Sequence, residues 1–561
     1  MSIPSFNVAR FIRESAERVP AVCAIRLPDG RNADASIRYR ELSFAELDAH
    51  TAAAAEIFRE NGIGAGTRTL LMARPGWDLI LCAFALFRIG AVPVAIDPGM
   101  GLRHFLRCVE NTRPEALVGI SLAHWVSRFF RKPFASVKTK VVVGNRKFNE
   151  KIARLAADPA LRSEIVRTSA DELAAILFTS GSTGAPKGVC YTHGMFDAQQ
   201  RIVRDVYKIE PGEIDLPLLP IFALFNPALG MTTVTPEMNP SKPATLDPEK
   251  IVRAIRQNGV TNSFGSPILW RKIAEYCDAR GETLPSIRRI LCAGTAVHPS
   301  LMALLKKVLP NAEIHSPYGA TENLPVADVD AETVLGETGA LTACGFGTCT
   351  GTIVAGNRVR IVPASDAVFP DFESAGEVRE RFRGFPVGEI CVCGPTTTQA
   401  YDNNARATAL AKISDSADGS LWHRMGDLGY LDERGRLWFL GRKVERVETA
   451  GATLYTEACE PIFNAHPDVF RSALIGLGAP KQAVPAVVIE LRAGTPKCRH
   501  GEILDDLRRL AQENPLTQGI CRFFIHPKKF PVDVRHNAKI HRLSLKKYYE
   551  KFAEKLKSEK I

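Results

Sequence analysis

The sequence contains no hydrophobic run long enough to cross a membrane. Its longest apolar run near the N-terminus, Leu79–Phe87, has nine residues and ends at Arg88, whereas a membrane-spanning helix needs about 20. Met1 to Pro20 carries both acidic and basic residues, all between Arg10 and Arg18, so no signal peptide is expected. These features predict a cytoplasmic protein without a transmembrane segment, and they leave peripheral contact with a membrane open.

The cysteines lack the spacing of a zinc site. There are 13 of them, an odd number, scattered along the chain. Neither Cys391 with Cys393 nor Cys344 with Cys349 forms the paired CxxC pattern of structural zinc. Since nearly all lie in apolar stretches, the sequence predicts buried free thiols in a reducing compartment.

Internal repeats, heptad seams and low-complexity blocks are also missing. The composition is ordinary for a globular chain, with 45% apolar and 24% charged residues, and 561 residues are enough for several domains or subdomains. The net charge of +11 permits a phosphate-rich ligand, nucleic acid or an anionic membrane surface as partner. Residues 443–561 contain 21 basic and 14 acidic residues, so they carry +7 of it. We expect no nucleic acid partner, because stacking-aromatic motifs are missing.

Short apolar runs alternate with helical patterns through the first third of the chain. Phe44–Asn61 and Trp77–Gly90 have apolar residues at helical spacing. Thr69–Met72, Ala91–Ile96 and Leu173–Phe178 have the pattern of short buried strands. This alternation predicts an α/β fold with largely parallel sheets.

The pattern changes in the last third of the chain. Gly388–Gly394 and Leu437–Gly441 predict short strands bounded by glycine, and Asp432–Gly435 is a hairpin signal. The chain beyond them is richer in charge and has its own strand and helix signals, which predicts a domain boundary near Arg442–Glu445. The final helix, from about Leu543, is interpreted as a solvated amphipathic helix because Glu residues are interleaved with its Lys residues.

A loop rich in glycine and hydroxyl groups directly follows the strand that ends at Phe178. It reads Thr179-Ser180-Gly181-Ser182-Thr183-Gly184-Ala185-Pro186-Lys187-Gly188. Glycines let a backbone approach an anion closely, and exposed N–H groups form an anion-binding nest to which hydroxyls and a lysine add donors. The loop is neither a Walker A sequence nor a GxSxG nucleophile elbow. It predicts a site for a polyphosphate.

The loop matches the signature of the ANL superfamily of adenylate-forming enzymes, which includes acyl-CoA synthetases, adenylation domains and luciferases. The sequence is similar to this family along nearly its whole length. Further motifs occur in the family's order: Ala293-Gly294-Thr295-Ala296, Tyr318-Gly319-Ala320-Thr321-Glu322, Gly426-Asp427, Gly441-Arg442 and His536-Asn537-Ala538-Lys539-Ile540. The resemblance implies an N-terminal adenylation body of parallel sheets, residues 1–441, and a small mobile α+β lid, residues 442–561, that carries the catalytic lysine.

The resemblance also implies ATP and Mg²⁺ as cofactors. The expected nucleotide-binding residues are those of the motifs: Thr179, Ser180, Gly181, Ser182, Thr183, Gly184, Lys187, Gly294, Thr295, Ala296, Tyr318, Gly319, Ala320, Thr321, Asp427 and Arg442. Tyr318 would pack on the adenine, and Asp427 would accept hydrogen bonds from the ribose hydroxyls. Glu322 would ligate Mg²⁺, since this hard cation prefers carboxylate oxygen.

Lys539 is the expected catalytic lysine. It would reach between the substrate carboxylate and the α-phosphate of ATP, a role that needs a positive charge on a flexible stem. The family usually has Gly-Lys at this place, whereas this chain has Ala538-Lys539. Lys546 and Lys547 therefore stay as weaker alternatives.

One uncharged stretch interrupted by prolines, residues 217–231, predicts an apolar wall that suits a long alkyl chain. Phe222, Phe225 and Asn226 are the expected substrate contacts within it, and a plain core segment is the alternative. No Asp in this stretch could anchor an amino-acid ammonium group, and no carrier domain follows. Amino-acid adenylation is therefore disfavoured.

Leu219–Gly230, Arg535–Ile540 and the basic tail resemble one branch of the superfamily, the β-lactone synthetases of bacterial long-chain olefin biosynthesis. This resemblance implies that ATP activates the carboxylate of a 2-alkyl-3-hydroxy fatty acid. The 3-hydroxyl of the same molecule then attacks the acyl-adenylate, so that AMP leaves and a β-lactone forms. His193 is a candidate base for that attack, with a structural role as the alternative.

The branch also implies partners and leaves alternatives. Its members act beside a thiolase, a reductase and a β-lactone decarboxylase, which are the expected protein partners by analogy. A long-chain fatty-acyl-CoA ligase is the second interpretation of the sequence. A non-catalytic nucleotide-binding scaffold that keeps the fold is the third.

Overall fold

The computed structural model describes residues 5–158, 161, 164–179, 186–239, 242–533 and 539–558. Helices and strands alternate through the first 206 residues, as the sequence predicts. Their bounds are α1 (Arg10–Arg18), β1 (Cys23–Arg31), β2 (Ile37–Ser43), α2 (Phe44–Glu60), β3 (Arg68–Met72), α3 (Trp77–Arg88), β4 (Val92–Ala95), α4 (Leu102–Thr112), β5 (Ala116–Gly119), α5 (Ser121–Phe129), β6 (Thr139–Val142), α6 (Arg146–Ala156), β7 (Leu173–Thr179), β8 (Lys187–Thr192) and α7 (His193–Val206).

A six-stranded sheet forms the first structural layer, in the order β6-β5-β3-β4-β7-β8. All neighbours in it are parallel except β7 and β8, which are antiparallel. Parallel strands need helical crossovers that cover the sheet faces, so their central residues are buried. Leu70, Val94, Leu117 and Ile176 accordingly have no exposed surface.

The middle of the chain adds a larger mixed sheet. Its elements, with two short hairpin strands, are β9 (Ile214–Asp215), α8 (Asn226–Leu229), β10 (Thr232–Val234), α9 (Pro248–Asn258), β11 (Asn262–Gly265), α10 (Pro267–Asp278), β12 (Arg289–Cys292), α11 (Pro299–Val308), β13 (Glu313–Ala320), β14 (Asn323–Asp330), α12 (Ala331–Thr333), α13 (Gly339–Ala343), β15 (Thr348–Ile353), β16 (Arg358–Val362), α14 (Phe372–Ala375), β17 (Arg381–Phe382), β18 (Phe385–Pro386), β19 (Gly388–Cys393), α15 (Ala405–Ala411), β20 (Lys412–Ser414), β21 (Leu421–Leu431) and β22 (Leu437–Arg442).

This larger sheet is parallel in one half and antiparallel in the other. Its order is β16-β19-β21-β22-β15-β14-β13-β12-β11-β9-β10-β1-β2, with β20 beside β21. Neighbouring strands are parallel from β13 through β12, β11, β9 and β10 to β1. They are antiparallel from β13 through β14, β15, β22, β21 and β19 to β16. Short connections such as the predicted hairpin between β21 and β22 cannot make a parallel crossover. The expectation of largely parallel sheets therefore holds for the first sheet and half of the second.

The C-terminal part is small and has its own core. Its elements are β23 (Val447–Glu448), β24 (Thr453–Leu454), α16 (Thr456–Asn464), β25 (Val469–Leu477), β26 (Val484–Leu491), α17 (His500–Glu513), β27 (Arg522–Ile525) and α18 (Arg542–Ser558). Leu474, Val487 and Leu507 belong to one buried cluster drawn from this part alone. A short 3₁₀ helix, Lys443–Glu445, links it to β22.

The last helix has one buried face, as the amphipathic interpretation predicts. Leu545 and Tyr549 of α18 are buried in a cluster with residues of β25 and β26.

All cysteines are free thiols, and Cys344, Cys498 and Cys521 are the exposed ones. Among the described helices, none is long and apolar enough to cross a membrane.

Candidate functional site

A cavity of about 1390 Å³ lies among the two large sheets and the C-terminal part. Side chains of all three parts line it. The residues at its wall include most of the motif residues predicted from the sequence: Gly294, Thr295, Ala296, Tyr318, Gly319, Ala320, Thr321, Asp427, Arg442 and Lys539. The structure thus brings together residues that are up to 245 positions apart in the chain.

Tyr318, Asp427 and Arg442 form one hydrogen-bonded group in this wall. The Tyr318 hydroxyl donates to Asp427 Oδ2 at 2.7 Å, and Arg442 Nη1 lies 2.8 Å from Asp427 Oδ1. Burial, and then Asp427, raises the pKa of Tyr318, so the phenol keeps its proton. Asp427 in turn raises the pKa of Arg442. The group presents an aromatic face, a carboxylate and a guanidinium to the cavity.

A bulge in β21 aims Asp427 at its partners. On β19, Glu389 and Cys391 are two residues apart. Their partners on β21, Leu428 and Arg424, are four residues apart, so β21 has two extra residues here. Gly426 lies in this bulge with a φ of +69°, a left-handed conformation that glycine adopts without steric cost. Bulges re-aim side chains in this way next to functional sites.

The predicted adenine loop follows β12, which ends at Cys292. Gly294 has a φ of +106°, and Gly294–Ala296 line the cavity before α11 begins at Pro299. On the neighbouring strand β13, Gly319 packs so closely that an added Cβ would lie 2.7 Å from the Asn323 carbonyl oxygen. A larger residue at position 319 would therefore displace the backbone next to Tyr318.

The phosphate loop is closed by an antiparallel strand pair. Thr179, the last residue of β7, and Lys187, the first of β8, are paired in register. Ser180, Gly181, Ser182, Thr183 and Gly184 lie outside the described residues, so the prediction for them stays a prediction. Lys187 Nζ lies 4.7 Å from the centre of the Tyr401 ring.

The carboxylate of Glu322, the expected Mg²⁺ ligand, has one hydrogen-bond partner and one nearby lysine that the sequence did not predict. The Tyr401 hydroxyl donates to Glu322 Oε1 at 2.7 Å. Lys412 is buried close to this carboxylate and donates to the Thr398 carbonyl oxygen. Burial lowers the pKa of Lys412 to about 7, against the opposite effect of Glu322. A carboxylate held by a neutral phenol beside a weakly charged lysine fits a hard cation that takes oxygen ligands.

Lys539 lies at the cavity wall and is held through its backbone. The Lys539 N–H donates to Asp533 Oδ1 at 2.8 Å, and the Asp533 N–H donates to the Lys539 carbonyl oxygen at 3.0 Å. Three residues further on, Arg542 makes ion pairs with Glu445 at 2.9 Å and Glu460 at 2.6 Å. These contacts fix the segment that carries Lys539 against the C-terminal part and the 3₁₀ link.

Two of the three predicted substrate residues line the cavity. Phe222 stacks on Phe264 with 3.6 Å between ring centres and lies 6.1 Å from Phe225. Asn226 instead is buried away from the main cavity and lines a small one of about 70 Å³. Its side-chain amide donates to Asp215 Oδ2 at 2.8 Å. This placement favours the structural alternative for Asn226.

The apolar wall extends further than the sequence analysis predicted. Leu79, Ala83, Phe84 and Phe87 of α3 line the same cavity. The sequence indicated only a core helix here, since apolar residues at helical spacing look the same whether they face packed side chains or an open cavity. A large, mostly apolar space with a few polar groups is typical of a ligand site.

His193 does not lie among the described residues that line the cavity. It begins α7 and is 1% exposed, and its Nδ1 accepts the Val8 N–H at 3.2 Å. Burial lowers the pKa of His193 to about 4, so the ring is neutral at pH 7 and its proton lies on Nε2. This geometry supports a structural role.

Comparisons with known proteins show which family the chain is similar to. The family model described as "AMP-binding enzyme" matches residues 14–402. An olefin beta-lactone synthetase of Xanthomonas campestris pv. campestris is 46% identical over 548 residues, which cover 96% of each chain. A second one, of Stenotrophomonas maltophilia, is 43% identical and covers 96% of this chain and 97% of its own.

Among solved structures, the amide bond synthetase McbA from Marinactinospora thermotolerans has the same fold. It superposes with a TM-score of 0.78 at 20% identity, covering 97% of this chain and 100% of its own. The family model covers well over half of the present chain, and two relatives exceed 40% identity across nearly all of it. The chain therefore belongs to the family of AMP-binding, adenylate-forming enzymes.

Proposed function

We propose that the protein activates a 2-alkyl-3-hydroxy fatty acid with ATP and closes it to a β-lactone, releasing pyrophosphate and AMP. The observation that carries this proposal is the shared cavity. The same cavity is lined by the Tyr318–Asp427–Arg442 group, by Lys539 and by the apolar wall that includes Phe222. The relatives of 46% and 43% identity are named for that product. A nucleotide and a long alkyl chain can therefore meet at the lysine.

In the first step the substrate carboxylate attacks the α-phosphate, and the P–O bond to pyrophosphate breaks. Two anions approach each other, so the site must supply positive charge and hydrogen-bond donors. Lys539 would lie between carboxylate and α-phosphate, and Lys187 with the loop that precedes it would hold the outer phosphates. Asp427 and Arg442 would hold the ribose, with the adenine on Tyr318.

Mg²⁺ would be held by Glu322 and by phosphate oxygens of ATP. Its chemistry there is the neutralisation of charge that develops on the leaving pyrophosphate. Tyr401 would orient the Glu322 carboxylate, because its hydroxyl already donates to one of the two oxygens. Supporting contacts of this kind typically tune metal binding.

The second step joins two atoms of the same molecule. The 3-hydroxyl oxygen attacks the acyl carbon, its proton leaves, and the bond between that carbon and the AMP oxygen breaks. Because nucleophile and electrophile belong to one molecule, the wall has to hold the hydroxyl near the acyl carbon. Phe222 and Phe264 form a rigid stacked surface suited to this.

One experiment separates this function from the two alternatives. The purified protein is incubated with a 2-alkyl-3-hydroxy acid, ATP and Mg²⁺, with and without CoA, and the products are identified by mass spectrometry. We expect a β-lactone, AMP and pyrophosphate in both reactions. A thioester formed only with CoA, and no lactone, would establish the long-chain acyl-CoA ligase instead. No pyrophosphate with any β-hydroxy acid would establish the non-catalytic scaffold.

Replacing His193 tests whether it is the second-step base. His193→Ala leaves the Val8 N–H without its acceptor, which costs about 1–3 kcal/mol of unfolding free energy. We expect the ratio of lactone to acyl-adenylate to stay as in the wild type, with urea unfolding showing the loss and His193→Gln recovering part of it. Accumulation of acyl-adenylate without lactone in both variants would instead identify His193 as the base.

The domain arrangement is also part of the proposal. Residues 1–441 would form the body and residues 442–561 the lid, which would rotate about Arg442–Glu445 between the two steps. The separate cluster around Leu474 and the short 3₁₀ link support this division.

A thiolase, a reductase and a β-lactone decarboxylase stay predicted partners, and co-purification from the producing cell would test them.

A further inference from the structure

The helix α5 carries large apolar side chains on its outward face. Its small residues Ala123 and Ser127 face inward and are buried. Leu122, Trp125 and Phe129, by contrast, are 63%, 64% and 68% exposed. Their spacing of three and four residues places them on one outward face. We call these three residues the aromatic patch, and contiguous apolar surface of this kind marks an interaction site.

Among the described rings, the two rings of the patch stack on each other and on a neighbour in the chain. The Trp125 and Phe129 rings are nearly parallel, with centres 5.8 Å apart, and Phe129 meets Phe130 edge-on at 4.9 Å. Tryptophan favours the boundary between headgroups and acyl chains, where one part of the ring is apolar and its N–H is wet. The patch thus has the chemistry of a membrane-interface anchor.

The chain segment that contains the patch is positively charged. Residues 98–140 contain eight basic and two acidic residues, a net charge of +6 in 43 residues. Among the exposed residues are Arg103 and Arg107 of α4, Arg128 of α5, and Arg131 and Lys132, which follow α5. Lysine and arginine near an anionic bilayer attract its headgroups. This charge favours an anionic lipid surface over a neutral apolar partner.

The patch is continuous with the mouth of the large cavity. Leu122 belongs both to the patch and to the cavity wall, and Val126 of the same helix lines the cavity as well. Leu102, 52% exposed, and the buried Phe105 extend the wall along α4. An acyl chain that left a bilayer at the patch would therefore meet apolar side chains all the way inward.

We propose that the aromatic patch and its basic surroundings dock the protein on an anionic membrane, so that a long-chain acid enters the cavity directly from the lipid, past α4 and α5. Two weak signals, apolar insertion and headgroup attraction, are together enough for reversible binding. The docking stands by itself, whereas the delivery of substrate rests on the proposed function.

Vesicle flotation tests the docking. The probes are vesicles of phosphatidylglycerol with phosphatidylcholine and vesicles of phosphatidylcholine alone. We expect the wild type to float only with the anionic vesicles. The double variant Trp125→Ser with Phe129→Ser should bind the anionic vesicles at least about tenfold more weakly. In the double variant Arg128→Glu with Arg131→Glu, each substitution should weaken this binding about fivefold or more.

Matched controls come from exposed residues elsewhere. Tyr548→Ser removes an aromatic side chain that is 48% exposed, and Arg508→Glu with Arg509→Glu reverses two exposed charges on α17. Both should float like the wild type. Equal binding by the patch variants and these controls, or no binding of the wild type to anionic vesicles, would overturn the proposal.

Tryptophan fluorescence locates the contact. Trp125 is the most exposed of the five tryptophans, since Trp270, Trp422 and Trp438 are buried and Trp77 is half-buried. Phosphatidylglycerol vesicles with brominated acyl chains should quench it in the wild type and not in Trp125→Phe. Unquenched emission, together with light scattering that shows a dimer lost in the patch variants, would identify the patch as a contact between two copies instead.

Pyrophosphate release separates docking from catalysis. With a short 2-alkyl-3-hydroxy acid that is soluble without vesicles, the patch variants should release pyrophosphate at the wild-type rate. A wild type that floats but releases none would refute the proposed function and leave the docking in place.

Discussion

Lys539→Ala is expected to lower the rate of acyl-adenylate formation about 10³-fold, the loss typical of removing one preorganised donor from developing charge. The structure supports this because Lys539 lies at the cavity wall that also contains Asp427 and Arg442. Its backbone is fixed on both sides by Asp533, so truncation of the side chain should leave the local fold intact. Radioactive exchange of pyrophosphate into ATP measures the step.

Two neighbouring lysines provide the controls. Lys546 and Lys547 lie on α18 and are the alternatives that the sequence leaves open, and Lys546 pairs loosely with Glu550 at 3.7 Å. Lys546→Ala and Lys547→Ala should keep the wild-type rate. If one of them lost the exchange while Lys539→Ala kept it, the catalytic lysine would be misassigned.

Glu322→Gln should reduce pyrophosphate release about 100-fold at saturating ATP and shift the Mg²⁺ dependence to higher concentration. The amide keeps the size of the side chain and can still accept the Tyr401 hydroxyl, so only the anionic charge is lost. The measurement is the initial rate against Mg²⁺ concentration, with a fixed ratio of ATP to acid.

The matched control is Glu332→Gln, an exposed carboxylate that pairs with Lys306 at 2.7 Å. It should follow the wild-type curve. An unchanged Mg²⁺ midpoint in Glu322→Gln would exclude this residue as the metal ligand. The Mg²⁺ midpoint of Tyr401→Phe should lie between those of the wild type and Glu322→Gln, because the carboxylate stays but loses its orienting donor.

Residues that belong to family motifs could be predicted from the sequence because the motifs resemble those of adenylate-forming enzymes and occur in the same order. The resemblance predicts Tyr318, Asp427 and Arg442, and the structure brings them within hydrogen-bonding distance. Tyr401 and Lys412 could not be found in this way. Tyr401 reaches Glu322 because residues 400–402 bond to the backbone of β8. Lys412 comes near it because β20 pairs with β21, and such long-range pairings have no local pattern.

The apolar wall of the cavity shows a second limit of prediction from the sequence. Helical spacing predicts that α3 is buried, and it is. The same spacing cannot tell which of its residues face packed side chains and which, like Leu79 and Phe87, face the cavity. Similarly, apolarity alone put Asn226 with its neighbours Phe222 and Phe225, although its amide turns to Asp215.

The pair between Arg542 and Glu445 has a mechanical consequence. Glu445 belongs to the 3₁₀ link, and Arg542 follows Lys539 by three residues. Both side chains are largely shielded from water, where an ion pair resists separation more than at the surface. In the proposed rotation the 3₁₀ link and the segment that carries Lys539 would therefore move together, so the angle of the C-terminal part would set how far the lysine extends towards the nucleotide.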